Sequence, residues 1–160
     1  MPDAPTPLTV RPIRPADAPL LEAGLARLSP QSVYQRFLSP KPRLSRRELR
    51  YLTEVDGVMH HALVALDADG DLVAVGRWVR DADRPEEAEI AIVVADCLQR
   101  RGVGRGLGLA LADAACAHGV RRFTATILPG NRAAERLLAV VQERLEARPC
   151  SDPSPVLAAA

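Results

Sequence analysis

Ala88-Glu-Ile-Ala-Ile-Val-Val-Ala95, followed by Gln99-Arg-Arg-Gly-Val-Gly-Arg-Gly-Leu-Gly108, is the stretch on which the fold turns. The first segment is the most apolar in the chain and has the length of a buried strand. The second sets four alternating glycines, Gly102, Gly104, Gly106 and Gly108, at the start of an Ala-rich helix that ends near Gly119. Glycines where a strand gives way to a helix let the backbone approach a ligand, and the free N–H groups of a helix start favour phosphate. Each glycine in a helix costs up to about 1 kcal/mol relative to Ala, so a functional return is expected, with tight helix packing as the other reading. A dinucleotide fold needs Gly-x-Gly-x-x-Gly/Ala, whereas here Leu107 and Leu109 stand where the third small residue belongs. The next strand also ends in Leu128-Pro129 without a ribose-binding acid, which argues against a nicotinamide or flavin cofactor.

Outward from this stretch, the pattern predicts a short strand over Leu8 to Ile13 and a helix capped by Asp17 with Leu20, Leu21, Leu25 and Leu28 at helical spacing. Ser29-Pro30 starts a second helix carrying Val33, Tyr34 and Phe37, and Ser45-Arg-Arg-Glu48 has the capping-box spacing of a third. His61 to Leu66 and Leu72 to Val79 read as a hairpin around Asp67-Ala-Asp-Gly-Asp71. That turn lacks the glycine and glutamate positions of a calcium loop. Beyond the glycine-started helix come a strand, Phe123 to Leu128, and a last helix from Asn131 to about Arg148. The order predicts one α/β domain over residues 8–148, a mixed sheet with helices on both faces, between a disordered start (1–7) and a flexible tail (149–160).

Composition narrows the function. The 160 residues carry 21 basic and 20 acidic side chains, so no global charge calls for a nucleic acid or a membrane as partner. Twenty of the basic residues are Arg; Lys41 is the single lysine, which excludes a Gly-Lys-Ser/Thr phosphate loop and leaves one residue for Schiff-base chemistry. Residues 1–53 hold nine basic and four acidic groups, and Lys41, Arg43, Arg46, Arg47 and Arg50 form either a solvated face or an anion-binding rim. Cys97, Cys116 and Cys150 are sparse and odd in number, as in a reduced cytoplasmic protein without a disulfide framework or a structural zinc. With no long apolar run and no basic-then-apolar leader, the expectation is a cytoplasmic protein.

Gln99-Arg-Arg-Gly102-Val-Gly104, between that strand and helix, resembles the acetyl-CoA pyrophosphate loop of the GNAT-type N-acetyltransferase superfamily, with its Gln/Arg-x-x-Gly-x-Gly/Ala signature. Pro129-Gly-Asn131-Arg-Ala-Ala-Glu-Arg-Leu-Leu138 resembles the segment in which that family's Asn contacts the cofactor arm. Val10 to Asp17, Leu28 to Phe37 and Leu52 to Asp56 resemble the branch containing bacterial protein lysine acetyltransferases. The likeness runs from about Thr9 to Leu138. It implies a GNAT acyl-CoA N-acyltransferase fold, with acetyl-CoA or another acyl-CoA as co-substrate, an amine as acceptor (a small molecule or a protein lysine) and no metal. Gln99, Arg100, Arg101, Gly102, Val103, Gly104 and Arg105 would hold the pyrophosphate, and the strand through Val93 and Val94 would offer its backbone to the pantetheine arm. Asn131 has two readings, a contact to that arm or a cap for the last helix.

An acceptor amine must lose a proton before it attacks a thioester, and a lysine amine is almost wholly protonated at neutral pH. Glu89, in the apolar strand on the pleat face of Ala91, Val93 and Ala95, is the candidate general base, because burial there would raise its pKa. Glu in the matching place serves as base in the branch this chain resembles. The plainer reading is a carboxylate at an exposed strand entrance. Cys116 and His118, two apart on a helix, cannot pair with each other. His60-His61 opens a strand without a third metal ligand nearby.

Two features depart from the family. Many members place a Tyr in the last helix to protonate the leaving thiolate, where this chain has Leu137-Leu138-Ala-Val-Val141. The family also closes its sheet with two further strands after a Gly-Phe turn, and nothing after Arg148 alternates like a strand. A sheet short of that hairpin leaves an edge bare. Either a second copy of the chain covers it in a homodimer, or the chain is an acyl-CoA-binding or partner-binding module with impaired catalysis.

Overall fold

The computed structural model describes residues 7–148, so the calls on the first six residues, on the tail from Pro149 and on Cys150 lie outside the described residues. Five strands form one sheet in the order of the chain: β1 (Thr9–Pro12), β2 (His60–Leu66), β3 (Leu72–Arg80), β4 (Glu87–Val94) and β5 (Arg122–Thr124). The first four pair antiparallel, and β5 runs parallel to β4. The parallel pair follows from the crossover through helix α4 (Val103–Ala117), since parallel neighbours need a long connection. Asp67 closes the β2–β3 turn by accepting from the amides of Asp69 and Asp71 at 3.0 and 2.9 Å.

Helices α1 (Ala18–Ala26), α2 (Pro30–Phe37) and α3 (Arg46–Thr53) cover one face of the sheet. Helices α4 and α5 (Arg132–Ala147) cover the other. Strand alternation divides the core accordingly: Ala62 and Val64 of β2 pack under α1–α3, while Trp78 of β3 and Ile90 of β4 pack under α4 and α5. The expected caps at Ser29 and Ser45 are present, with Ser32 N–H and Glu48 N–H each donating to the cap hydroxyl at 3.2 Å. Asp17 does not cap α1 through its side chain. Its carboxylate takes two bonds from Arg11, at 2.7 and 2.8 Å, and one from Arg14 N–H at 2.7 Å. The fork of a guanidinium outcompetes a helix-start amide for the same oxygens.

The predicted strand Phe123 to Leu128 is realised only as β5, which pairs with β4 over Glu87↔Arg122 to Glu89↔Thr124. Beyond Thr124 the chain leaves the sheet. Among the described residues no strand follows, and α5 reaches over β5 instead. Phe123 N–H donates to Gln142 Oε1 at 2.8 Å, and Gln142 Nε2 donates to Arg121 C=O at 3.3 Å. A side-chain amide thus supplies one rung where a further strand would pair, so part of the edge expected to be bare is covered within the chain.

Candidate active site

The parting of β4 and β5 creates the site. Ala95 N–H bonds to Val73 C=O at 2.8 Å and Val93 stands opposite Val75, so the peptide groups of Val93 are committed to β3. Those of Ile92 and Val94 point the other way, into the space that β5 vacates after Thr124. The Val94 carbonyl accepts from Gln99 Nε2 at 3.1 Å. What remains is a strand edge with donors and acceptors at strand spacing, able to receive an extended amide-bearing chain as an added strand.

At one end of this edge lies the glycine turn. Arg100 (φ 61°) and Gly102 (φ 82°) both take left-handed backbone angles, separated by Arg101, and Gly102 is the residue from which α4 begins. Alternation of this kind turns successive amides toward one point and makes an anion-binding concavity at a helix N-terminus. Val103 opens α4 and Gly104 follows it. Arg100, Arg101 and Arg105 are exposed, and among the described residues none makes an ion pair. The four glycines divide by role. Gly102 supplies the backbone angle, whereas a Cβ on Gly108 would come 2.6 Å from Val141 Cγ2, so that glycine lets α4 approach α5.

A polar clamp fixes the turn to α2. Asp96 accepts from Ser29 N–H (2.9 Å), Ser29 Oγ (2.8 Å) and Ser32 Oγ (2.7 Å), and Gln99 Nε2 donates to Ser32 Oγ at 3.1 Å. Burial opposes the Asp96 charge, but these bonds from Ser29 and Ser32 prevail and hold the carboxyl below its ordinary range. Gln99, assigned above to an anion, works here as a strut between β4 and α2. Sequence reading missed Asp96, Ser29 and Ser32; Ser-x-x-Ser at a helix start is too common to suggest a partner 67 residues away.

Glu89 is the last β4 residue paired with β5, where the strands begin to part. Its side chain is exposed, so the apolar burial expected from the strand pattern is absent. Thr126 Oγ1 lies 3.5 Å from Glu89 Oε1. On the same face stand two buried or half-buried arginines. Arg77, 5% exposed, donates from Nη1 to Leu52 C=O at 3.1 Å and lies 2.9 Å from His60 Nε2. Burial pushes Arg77 down to about 10, aided by the charge of Arg36. Arg36 is likewise lowered by burial and partly restored by Glu89 and Tyr51. His60 is pushed down to about 4 by burial and by Arg77, so a neutral ring accepts from the guanidinium.

Asn131 caps α5: Ala134 N–H donates to its Oδ1 at 3.2 Å, which leaves the NH₂ group for other partners. Lys41 pairs with Glu48. Cys116 lies in the core and His118 on the surface, so they do not meet. His61 stacks on Trp78 on the opposite face from His60.

A model of the acetyltransferase (GNAT) domain matches residues 7–141. The chain belongs to the GNAT acetyltransferase family. Its relatives include acetyltransferase Pat of Mycolicibacterium smegmatis, 35% identical over 130 residues that cover 81% of this chain and 39% of Pat. This GNAT chain therefore spans about two fifths of the curated relative's length. Among solved structures, the GNAT domain of S. lividans PAT superposes with a TM-score of 0.77 at 35% identity, covering 82% of this chain and 78% of that one. A cAMP-binding acyltransferase from Mycobacterium smegmatis gives 0.57 at 33% identity, over 82% and 38% of the two chains. The resemblance read from the glycine turn and the expected fold are thus established. Among the described residues no helix is long and apolar enough to cross a membrane.

Proposed function

We propose that this chain is an N-acetyltransferase that takes acetyl-CoA, or another acyl-CoA, and transfers the acyl group to an amine such as a protein lysine. The observation that carries this reading is the parted β4 edge beginning at Glu89 and ending at the turn around Gly102. The amides from Gly102 to Gly104, with α4 behind them, receive the pyrophosphate, and Arg100, Arg101 and Arg105 add charge-assisted bonds. The pantetheine arm lies along Val93 and Val94, bonded to the peptide groups that point away from β3, with the Asn131 NH₂ as a further donor. Glu89 takes the proton from the ammonium, directly or through water, as the amine adds to the thioester carbonyl. A β4 amide in the gap donates to the oxygen as negative charge develops on it. The C–N bond forms, the C–S bond breaks and the second nitrogen proton passes to solvent; the thiolate is basic so weakly that it leaves without a general acid and is protonated from solvent. The support for a protein lysine as acceptor is the likeness to Pat and to the GNAT domain of PAT.

Release of free CoA from acetyl-CoA with lysine-bearing proteins and small amines tests the reading. Glu89→Gln should lower kcat about 10²- to 10⁴-fold with acetyl-CoA affinity nearly retained. Unchanged turnover removes Glu89 from the mechanism. Stoichiometric acetyl-CoA binding without turnover across a wide acceptor panel makes the chain a binding module of the same fold.

A further inference from the structure

Between α1–α3 and the sheet lies a cavity of about 70 Å³, lined by Leu25, Leu52, Val93 and Ala95, by Arg27, which pairs with Asp71, and, on the sheet and α2 sides, by Arg77 and Arg36. That volume holds several water-sized groups. Neither Arg77 nor Arg36 makes an ion pair among the described residues. Arg77 is 5% exposed and spends Nη1 on Leu52 C=O and His60 Nε2, both uncharged. A buried guanidinium without a carboxylate is costly, because its desolvation is returned only by charge-assisted bonds. Glu89 lies toward Arg36 and favours its charge, whereas no carboxylate among the described residues is within ion-pair distance of Arg77.

The cavity adjoins the parted strand edge. Val93 and Ala95, whose side chains line it, flank Val94, whose peptide group points into the gap. The other face offers no such space: a Cβ on Gly76 would already lie 2.7 Å from Leu111 Cδ1. A group carried at the reacting end of a chain along β4 therefore finds room in this cavity, which Arg77 and Arg36 line.

Building on the acyltransferase reading, we propose that Arg77 and Arg36 form a carboxylate pocket beside the reacting carbonyl, selecting a substrate with an anionic group a few carbons from the reacting atoms. The shared chemistry is a carboxylate on a short aliphatic stem. It can arrive on the acyl group, as in a dicarboxylic monothioester of CoA, or on the acceptor, as in an amino acid.

Calorimetric titrations separate the two sources. In one arm, succinyl-CoA is compared with acetyl-CoA; in the other, the acetyl-CoA-loaded protein is titrated with 4-aminobutyrate and with butylamine. The pocket predicts at least a tenfold preference for the carboxylate-bearing member in one arm, as expected where one more charge-assisted hydrogen bond is gained. In Arg77→Met that preference falls to within twofold. Arg77→Lys, which keeps the charge but loses the fork, retains an intermediate preference, and Arg36→Gln serves if Arg77→Met does not fold. A purely structural Arg77 lowers the melting temperature and leaves both ratios unchanged, which overturns the proposal, as does wild-type preference below twofold in both arms. If acetyl-CoA itself fails to bind, the acyltransferase reading falls separately. Succinate alone then decides for the pocket, by raising the melting temperature of the wild type and not of Arg77→Met, or against it by raising neither.

Discussion

The two faces of one sheet are packed by different rules. Under α4 and α5, Leu107, Leu111, Ala115 and Val141 are essentially unexposed, and a Cβ on Gly76 or Gly108 would collide with a neighbour. Under α1–α3 the helices are short, a cavity remains, and the polar residues His60 and Arg77 are buried. The tight face packs α4, which begins at the glycine turn, against α5, while the clamp from Asp96 and Gln99 to Ser29 and Ser32 ties the turn to α2 on the other side. The loose face carries Glu89 and the two arginines, and on the proposed reading it is the side from which the acceptor enters. If acyl-CoA and acceptor bind as proposed, rigidity lies beside the invariant part of the cofactor and free volume beside the part that differs between substrates.

The sharpest way to break this contrast is to make the same deletion on both faces. Leu111→Ala removes a side chain with 0% exposure from a region that cannot collapse, and should cost about 3–5 kcal/mol. Leu25→Ala, at 8% exposure and already beside the cavity, should cost closer to 2 kcal/mol, because fewer atoms lose a partner. Urea unfolding of both variants checks the difference; equal costs would mean that the two faces are equally packed.

A second test uses pH. His60 is held at about 4 in the folded protein, against roughly 6.5 in an unfolded chain. Between these values the unfolded state binds the extra proton, so stability is full above about 6.5 and falls as pH drops toward 4. At about 1.4 kcal/mol per unit, the full loss is about 3 kcal/mol. His61, on the tight face, is shifted in the same direction by burial and by His118, so the wild type must be compared with His60→Gln, in which Gln still accepts from Arg77. The variant should lose less stability over that interval, measured by thermal unfolding at a series of pH values.

Much of this was legible from the residues. The strand and glycine turn from Ala88 to Gly108 carried the fold and its family, because backbone constraints at Gly102 are written in residue type. The caps at Ser29 and Ser45 were equally plain. Three features were not. β5 ends at Thr124 although Ala125 to Leu128 is as apolar as a strand, because pairing depends on where β4 lies and not on local propensity. Asp17 looked like a cap until Arg11 claimed it. Glu89 sits in an apolar strand yet is exposed, since what covers a strand cannot be read from the strand alone. The arginine pocket left one trace, a charged residue at position 77 inside the apolar run of β3, whose meaning needed the neighbours from α2 and α3.

The smallest expected effect is also the most diagnostic, because it differs in sign. Gly108 and Gly24 both lie inside helices, where Ala is preferred over Gly by up to about 1 kcal/mol. At Gly108 the new methyl would stand 2.6 Å from Val141 Cγ2 and 3.2 Å from Ile92 Cδ1. Val141 is buried and short, with no alternative position, so α4 and α5 must separate and Gly108→Ala should lose about 1 kcal/mol net. At Gly24 the methyl would stand 3.1 Å from Leu72 Cδ2, the far end of a flexible side chain that lines the cavity and can rotate into it. Gly24→Ala should therefore be neutral or stabilising by up to about 1 kcal/mol, with the helix preference uncancelled. Paired thermal melts of the two variants give the sign directly: a loss at Gly24 as large as that at Gly108 would show that the cavity under α1 is too stiff to admit even one methyl group, and so too stiff to admit a substrate carboxylate.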